Sequence, residues 1–259
     1  MRNTICLIVP AGILAIALSC SSGGPVRQTG NYTLDDGTKY TGQWLNSKPD
    51  GTGTAEFADG TKYTGEWLSG KRHGKGTYYF QKGARYEGEF KDNQRNGNGI
   101  YFFPDGTKFE GLFTNGKMAD EGTFYTLSGD KYVGQFREGQ FQGKGTYFFK
   151  DGNKYEGDYV KGRREGQGAF YYKNGDKYEG NFTNGSMNGI GKYYTANGDR
   201  YEGEFNKGTM QGRGKYFFSN GDRFEGEFKN GTMHGNGVYF YNDGTSKKGR
   251  WVKGVAVGK

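Results

Sequence analysis

The residues of this chain whose types could perform catalysis or hold a metal ion are not spaced as a catalytic or metal site requires. The two histidines, His73 and His234, stand at equivalent positions of a 23-residue repeat but seven repeats apart, too distant to share a metal or act as a pair. No serine has a base beside it. The acidic residues repeat with a Lys or Arg before them, which is typical of solvated cross-strand ion pairs; they are Glu87, Glu89, Glu110, Glu156, Glu202, Glu204, Glu225 and Glu227. We therefore predict a chain that is not an enzyme, with no catalytic residue, cofactor or metal.

The cysteines lie at the start of the chain. Cys6 falls inside an apolar run at 5–18, which follows Arg2 and is short for a membrane-spanning helix but typical of a signal peptide. Residues 17–20 end in Cys20 and resemble a bacterial lipobox. The resemblance implies a signal peptide at 1–19, lipidation of Cys20, a tether at 20–29 and a membrane-anchored lipoprotein of the bacterial cell envelope. In some bacteria an acidic residue directly after the lipidated Cys is associated with retention in the inner membrane. Ser21 stands at this position, which points to the outer membrane. Cleavage without lipidation and an uncleaved anchor remain open.

The rest of the chain is dominated by one repeat. Of its residues 32% are hydrophobic, 17% are aromatic and 50 are glycine, so aromatic rings must replace an aliphatic core. A period of 23 residues predicts a repeat architecture in which each unit packs on its neighbours. The first aromatic of each unit, which we call the anchor, is Tyr40, Tyr63, Tyr86, Phe109, Tyr132, Tyr155, Tyr178, Tyr201 or Phe224, and Lys247 takes the tenth place.

Within a unit, the pattern is that of two short strands. Lys154, Glu156 and Asp158 alternate with Tyr155, Gly157 and Tyr159, a period of two that predicts a strand with a charged and an aromatic face. A second strand follows, and Asn-Gly or Asp-Gly pairs before each anchor are hairpin signals. The glycine two residues after each anchor leaves room for a neighbouring ring on the backbone. Each unit is thus predicted to be one β-hairpin.

The segment that begins at Tyr63, Tyr-Thr-Gly-Glu-Trp, and continues to Gly74-Lys-Gly76 resembles the membrane occupation and recognition nexus (MORN) repeat. The resemblance covers residues 30–254 and implies an all-β fold: one elongated, twisted antiparallel sheet of about nine to ten consecutive hairpins, followed by a tail at 255–259. Four places depart from the motif: Ser47, Asn93, Asp120 and 246–248. The tenth unit is predicted to end after its first strand.

The second strands carry aromatic triplets whose middle ring should point away from the anchors. These eight residues, which we call the ring row, are Tyr79, Phe102, Tyr125, Phe148, Tyr171, Tyr194, Phe217 and Phe240. Exposed aromatic residues in a row are rare unless they bind something. The row is a candidate interface for a protein, a second copy or a glycan, and a two-sided core formed by sheet curvature is equally open.

Basic residues supply a second candidate surface. The net charge of +8 is concentrated in loops and at the C-terminal end, because charges on the regular faces nearly cancel. The candidate contacts with anionic lipid are Lys71, Arg72, Arg163, Arg164, Lys247, Lys248, Arg250 and Lys253. Simple solubility explains the charge as well. Nucleic acid is not expected as a partner, because export would separate the protein from it.

Together these patterns favour a non-catalytic, envelope-anchored scaffold that binds a protein or itself. Two alternatives remain: a peripheral phospholipid-binding module that uses the basic residues, and a cell-wall glycan binder that uses the ring row. Open sheet ends make self-association plausible, because terminal strands leave unpaired backbone groups.

Overall fold

The computed structural model describes residues 26–257, which form one open antiparallel sheet of 21 strands with no α-helix. This confirms the predicted all-β hairpin array. The strands are Gln28–Thr33 (β1), Lys39–Leu45 (β2), Lys48–Glu56 (β3), Lys62–Leu68 (β4), Lys71–Tyr79 (β5), Arg85–Lys91 (β6), Gln94–Phe102 (β7), Lys108–Thr114 (β8), Lys117–Tyr125 (β9), Lys131–Arg137 (β10), Gln140–Phe148 (β11), Lys154–Val160 (β12), Arg163–Tyr171 (β13), Lys177–Thr183 (β14), Ser186–Tyr194 (β15), Arg200–Asn206 (β16), Thr209–Phe217 (β17), Arg223–Lys229 (β18), Thr232–Phe240 (β19), Ser246–Val252 (β20) and Val255–Val257 (β21).

Every strand pairs with the strands before and after it in the chain, so β1 and β21 are the two ends of the sheet. Strand β1 starts at Gln28, inside the segment assigned to a tether. At the other end, Trp251 pairs with Ala256. The tenth unit therefore does not end after its first strand as predicted, because residues 255–257, assigned to a tail, pair back as β21.

The anchor rings form the core by lying over paired glycines. In the hairpin of β4 and β5, Gly65 faces Gly76, and the Tyr63 ring covers both. A Cβ atom on Gly76 would come within 2.5 Å of the Tyr63 ring, so no larger residue fits. The Tyr63 hydroxyl donates to the carbonyl of Glu66 at 2.9 Å. The predicted space for a ring is confirmed, and the ring comes from the same strand, two residues earlier.

A second aromatic, four residues after each anchor, links consecutive hairpins. Trp67 lies edge-on to Tyr63 of its own unit at 5.1 Å and to Tyr40 of the preceding unit at 5.5 Å. The same T-shaped contacts continue to Trp251, which packs on Phe224 at 5.2 Å. Edge-to-face contacts add stability beyond burial alone. The core is therefore one continuous ladder of rings.

Each complete hairpin contains a bulge, and in most hairpins two devices hold it. The first is a left-handed glycine in the second strand; eight glycines of this kind, from Gly51 to Gly235, have φ between +56° and +106°. The second is a side chain in the first strand that accepts a backbone N–H of the bulge. Glu66, for example, accepts from Lys75 at 3.0 Å. This places three of the predicted solvated acids, Glu89, Glu204 and Glu227, in a structural role instead.

Candidate functional site

The ring row lies on the face of the sheet opposite the anchors, as its register requires. Tyr79 pairs with Lys62 and Arg85 at strand ends, whereas its neighbour Tyr78 pairs with the anchors Tyr63 and Tyr86. Tyr79 is 43% exposed and Phe148 is 38% exposed, and the other six rings are half-buried. The row is thus neither fully open nor buried in a second core.

Cations cover most of these rings. The guanidinium of Arg85 lies 4.0 Å from the centre of the Phe102 ring, and the Lys131 ammonium lies 4.5 Å from Phe148. Six of the eight rings have such a partner; the other pairs are Lys108 with Tyr125, Lys154 with Tyr171, Arg200 with Phe217 and Arg223 with Phe240. A cation already lies against one face of each of these six rings, which reduces the ring surface open to a stacked sugar.

Carboxylates complete the pattern on this face. Arg85 Nε lies 2.8 Å from Glu87, two residues along the same strand, and Lys154 Nζ lies 2.7 Å from Glu156. Some pairs are cross-strand as predicted, such as Lys215 with Glu225 at 3.3 Å. The outer face is therefore a repeating strip of ring, cation and carboxylate, in which each group can meet a complementary group of a partner.

Two of the predicted lipid contacts point inward. Arg72 and Arg164 were expected as exposed loop cations, but both lie in strands and their guanidinium groups are surrounded by rings. Arg72 is 4.8 Å from the centre of Tyr78 and donates to the carbonyl of Asn93 at 2.9 Å. Arg164 lies between three rings and donates to the carbonyl of Gly185 at 2.6 Å. The expectation of exposure is wrong because each side chain caps the turn of the next hairpin.

Arg95, which the sequence analysis did not single out, is arranged in the same way. Four rings surround its guanidinium, two of them Tyr101 and Phe113 at 5.4 Å, and it donates to the carbonyl of Gly116. The position of these arginines, directly opposite the second aromatic of the unit, is the signal that could have identified them. We call this arrangement an arginine cage.

The remaining basic candidates are exposed. Lys71 pairs with Asp92 at 3.0 Å, and Arg163 donates to the Asn184 side chain at 3.1 Å. Four basic side chains at the end of the array are exposed, and within residues 26–257 none of them forms an ion pair with an acid. These residues are Lys247, Lys248, Arg250 and Lys253. The C-terminal end of the array therefore presents a cluster of exposed cations.

Acidic turn residues tie consecutive hairpins together, a role that the sequence analysis missed. Asp176 accepts from the Tyr193 hydroxyl and from the backbone N–H of Ala196, both at 2.8 Å. Its pKa is lowered, chiefly by the backbone hydrogen bond. Asp130, Asp199 and Asp222 repeat the arrangement. These acids therefore hold consecutive hairpins together.

The two histidines lie inside strands. His73 faces Glu66 in the bulge of β4 and β5, and His234 faces Glu227 in the bulge of β18 and β19. Within residues 26–257 no group of three or more His, Cys, Asp or Glu side chains could hold a metal ion.

No helix in residues 26–257 is long and apolar enough to cross a membrane. Cys20, the signal peptide at 1–19 and most of the tether at 20–29 lie outside the described residues.

Comparison with known proteins identifies the repeat. A family model described as MORN repeat matches residues 40–62, 63–85, 86–108, 132–154, 155–177, 178–200, 201–223 and 224–246. Residues 109–131 fall between two of these matches. No curated protein gives a significant match.

Several solved structures show a distant likeness. The TCP domain of SAS-4 from Drosophila melanogaster, in complex with a proline-rich motif of Ana2, has 11% identity and a TM-score of 0.35, with 68% of this chain and 83% of that chain covered. Virginiamycin B lyase from Staphylococcus aureus has 13% identity and a TM-score of 0.16, with 88% and 84% covered. These TM-scores are too low to support an argument. The eight matched units, by contrast, span most of the chain, and the protein belongs to the MORN repeat family.

Proposed function

We propose that this protein is a non-catalytic repeat scaffold that binds a protein partner or a second copy of itself along the ring row. One observation carries the proposal: the ring, cation and carboxylate strip repeats along one face of a single-layer sheet. Such a strip offers aromatic and charged contacts over a long distance, which suits an extended protein surface. MORN repeats are compatible with protein or lipid interaction, so the family is consistent with this role.

The location of the scaffold forms part of the proposal. The lipobox-like segment before Cys20 supports an anchor in a bacterial cell envelope, with Ser21 favouring the outer membrane. Metabolic labelling with an alkynyl fatty acid tests this step. We expect label on the wild-type protein and none on the Cys20→Ser variant. Equal labelling of the wild-type protein and the Cys20→Ser variant would refute the lipid anchor. That result would not bear on the binding role of the ring row.

Photo-crosslinking in cells tests the binding role. With benzoylphenylalanine in place of Phe148, we expect one discrete crosslinked species, because this ring is exposed in the middle of the row. The same probe in place of Ser219, an exposed turn residue off the row, is the matched control and should give none. Phe102→Ala should weaken the crosslink from position 148. A probe at positions 79, 148 and 240 that yields no discrete species would contradict the proposal.

A second function, peripheral binding to anionic lipid, is favoured by the exposed cations at the C-terminal end. Each basic residue near an anionic surface contributes about 1 kcal/mol, so four acting together would give measurable binding. We expect a chain that begins at residue 26 to sediment with anionic vesicles at low salt and to be released at high salt. Charge reversal at Lys247 and Lys248 should abolish the effect, and reversal at Lys71 should leave most of it. Salt-insensitive or absent binding would remove this function.

A further inference from the structure

The hairpin of β8 and β9 departs from the regular array at the position of the left-handed glycine. Asp120 stands there, and it is not among the residues with positive φ. Leu112 replaces the side chain that accepts a bulge N–H in most other units, and it is 53% exposed. Both devices that hold the bulge are therefore missing from the one unit that lies between the family matches.

The loss of these devices loosens the junction with the next hairpin. Pairing of β9 with β10 ends at Glu121 and Gln135, whereas the regular junctions include one more pair at the second aromatic. Eight turn residues, from Gly70 to Gly254, donate a backbone N–H to the preceding hairpin, but within residues 26–257 Gly139 makes no such bond to Met118. Phe136 is left half-buried, while its equivalents from Trp67 to Trp251 are buried.

A cleft of about 480 Å³ opens at this junction, on the anchor face of the sheet. Four phenylalanine rings and Met118 line it; the rings are Phe103, Phe109, Phe124 and Phe136. Its polar lining is acidic, with Asp105, Asp120 and Glu138 and no basic residue, although the chain as a whole is basic. Rings together with carboxylates favour an organic cation. These acids do not form a group that could hold a metal.

The arginine cages of the other units show which cation fits. Met118 occupies the position that Arg72, Arg95 and Arg164 occupy in their hairpins, opposite the second aromatic. Each of those arginines lies among rings and donates to the turn carbonyl 21 residues ahead. The corresponding turn residue here is Gly139, which lines the cleft. Methionine also holds the Met118 position in three regular hairpins, as Met187, Met210 and Met233, but there the following turn donates a backbone N–H to the methionine carbonyl. Within the described part of the chain the turn at Gly139 makes no such bond, so the cleft has the rings and the turn of an arginine cage and stands open without a guanidinium.

We propose that this cleft binds an arginine side chain of a partner protein, in the place that three other hairpins fill with an arginine of their own. The inference deepens the proposed scaffold function and rests on it for the nature of the partner. A planar guanidinium stacks flat on rings and presents five N–H donors in a fixed fork, whereas a lysine ammonium has three donors and no plane to stack. The carboxylates of Asp120 and Glu138 add charge complementarity at the opening of the cleft.

Methionine methyl NMR of the full-length protein in a maltoside detergent tests the inference. The probe is N-acetyl-arginine amide, and N-acetyl-citrulline amide is its uncharged isostere. We expect a saturable shift of the Met118 signal with arginine, at least about tenfold weaker binding of citrulline, and no shift of Met187, Met210 or Met233. An absent or non-saturable shift, or equal binding of citrulline or of N-acetyl-lysine amide, would overturn the assignment to arginine.

Three variants complete the test. Met118→Arg supplies an arginine in a position that holds one in three other hairpins, and it should abolish binding of the probe. Because this variant has no Met118 signal, its binding of the probe is measured by isothermal titration calorimetry beside the wild type. Met187→Arg, the same exchange in a regular unit, is the matched control and should leave binding at the Met118 site unchanged. Asp120→Gly restores the repeat glycine and should also close the site. Retention of binding by Met118→Arg would overturn the inference. The crosslink from position 148 reports on the scaffold function separately, since Phe148 lies on the other face.

Discussion

Replacement of Gly203 by alanine will destabilise the sheet by about 3 kcal/mol, the upper part of the usual range for an overpacked core. A Cβ atom at this position would lie 2.6 Å from the Cα of Gly214 on the paired strand and 2.6 Å from Cζ of the Tyr201 ring. Neither neighbour can move away, because Gly214 belongs to the backbone ladder and Tyr201 is fully buried. Urea unfolding followed by circular dichroism measures the effect as a lower midpoint.

The tenth unit offers a control for this substitution. Gly249 occupies the same repeat position, but the anchor of its unit is Lys247, and a Cβ atom on Gly249 would meet no atom within 4 Å. Gly249→Ala should leave stability unchanged or raise it by about 0.5 kcal/mol, through loss of unfolded-state entropy. If Gly203→Ala and Gly249→Ala destabilise the protein equally, the strand glycines are required by the backbone conformation and not by the ring that lies over them.

The regular parts of this structure could be predicted from sequence because each is encoded locally. Tyr155, Gly157 and Tyr159 alternate with charged residues, and that alternation specifies both the strand and its buried face. The same pattern in successive units then specifies the hairpin array. The ring row is also local, since a residue next to a core ring in a strand must point to the other face.

The features that sequence analysis missed depend on register and on contacts between units. The bulge places Arg72 opposite Trp67, and only this register shows that its guanidinium enters the rings. The sequence alone predicts that Glu89 is half of an ion pair. In the structure, the bulge places the backbone N–H of Asn98 where the Glu89 carboxylate accepts its hydrogen bond. Asp120 was recognised as a departure from the motif, but its effect on the next hairpin follows from a backbone conformation that the residue type alone does not reveal.

Alkaline pH will unfold the array in a single step above about pH 10, the usual pKa of tyrosine. Burial raises the pKa of Tyr40, Tyr86, Tyr132 and Tyr178 to about 12. It also raises the pKa of Tyr63, Tyr155 and Tyr201. A group whose pKa is higher in the folded chain than in the unfolded chain stabilises the fold fully below the unfolded pKa. That stability is lost as the pH rises from about 10 toward the folded value.

The size of the effect follows from the number of anchors. Each buried tyrosine contributes on the order of 2 kcal/mol over this interval, so several together exceed the stability of an ordinary domain. Surface ion pairs contribute little. Tyrosinate absorbance and the circular dichroism of the sheet should therefore change together. Absorbance that rises near pH 10 while the sheet signal persists would contradict this account.

Substitution of one tyrosine anchor by phenylalanine removes the ionisable hydroxyl and keeps the buried ring, so the contribution of each to stability can be measured. Phe109 and Phe224 are already anchors and pack as the tyrosines do, so Tyr178→Phe keeps the T-shaped contacts. The variant loses the hydrogen bond from the Tyr178 hydroxyl to the carbonyl of Asn181, 3.0 Å long, which should lower stability at neutral pH by about 1 kcal/mol. Above pH 10 the variant has one fewer group to ionise. Its free energy of unfolding should therefore fall less steeply with pH than that of the wild type, by the slope that corresponds to one proton. The difference between wild type and variant should therefore shrink and then reverse in sign as the pH rises. A constant difference across the alkaline range would mean that the Tyr178 hydroxyl ionises without unfolding the hairpin that covers it.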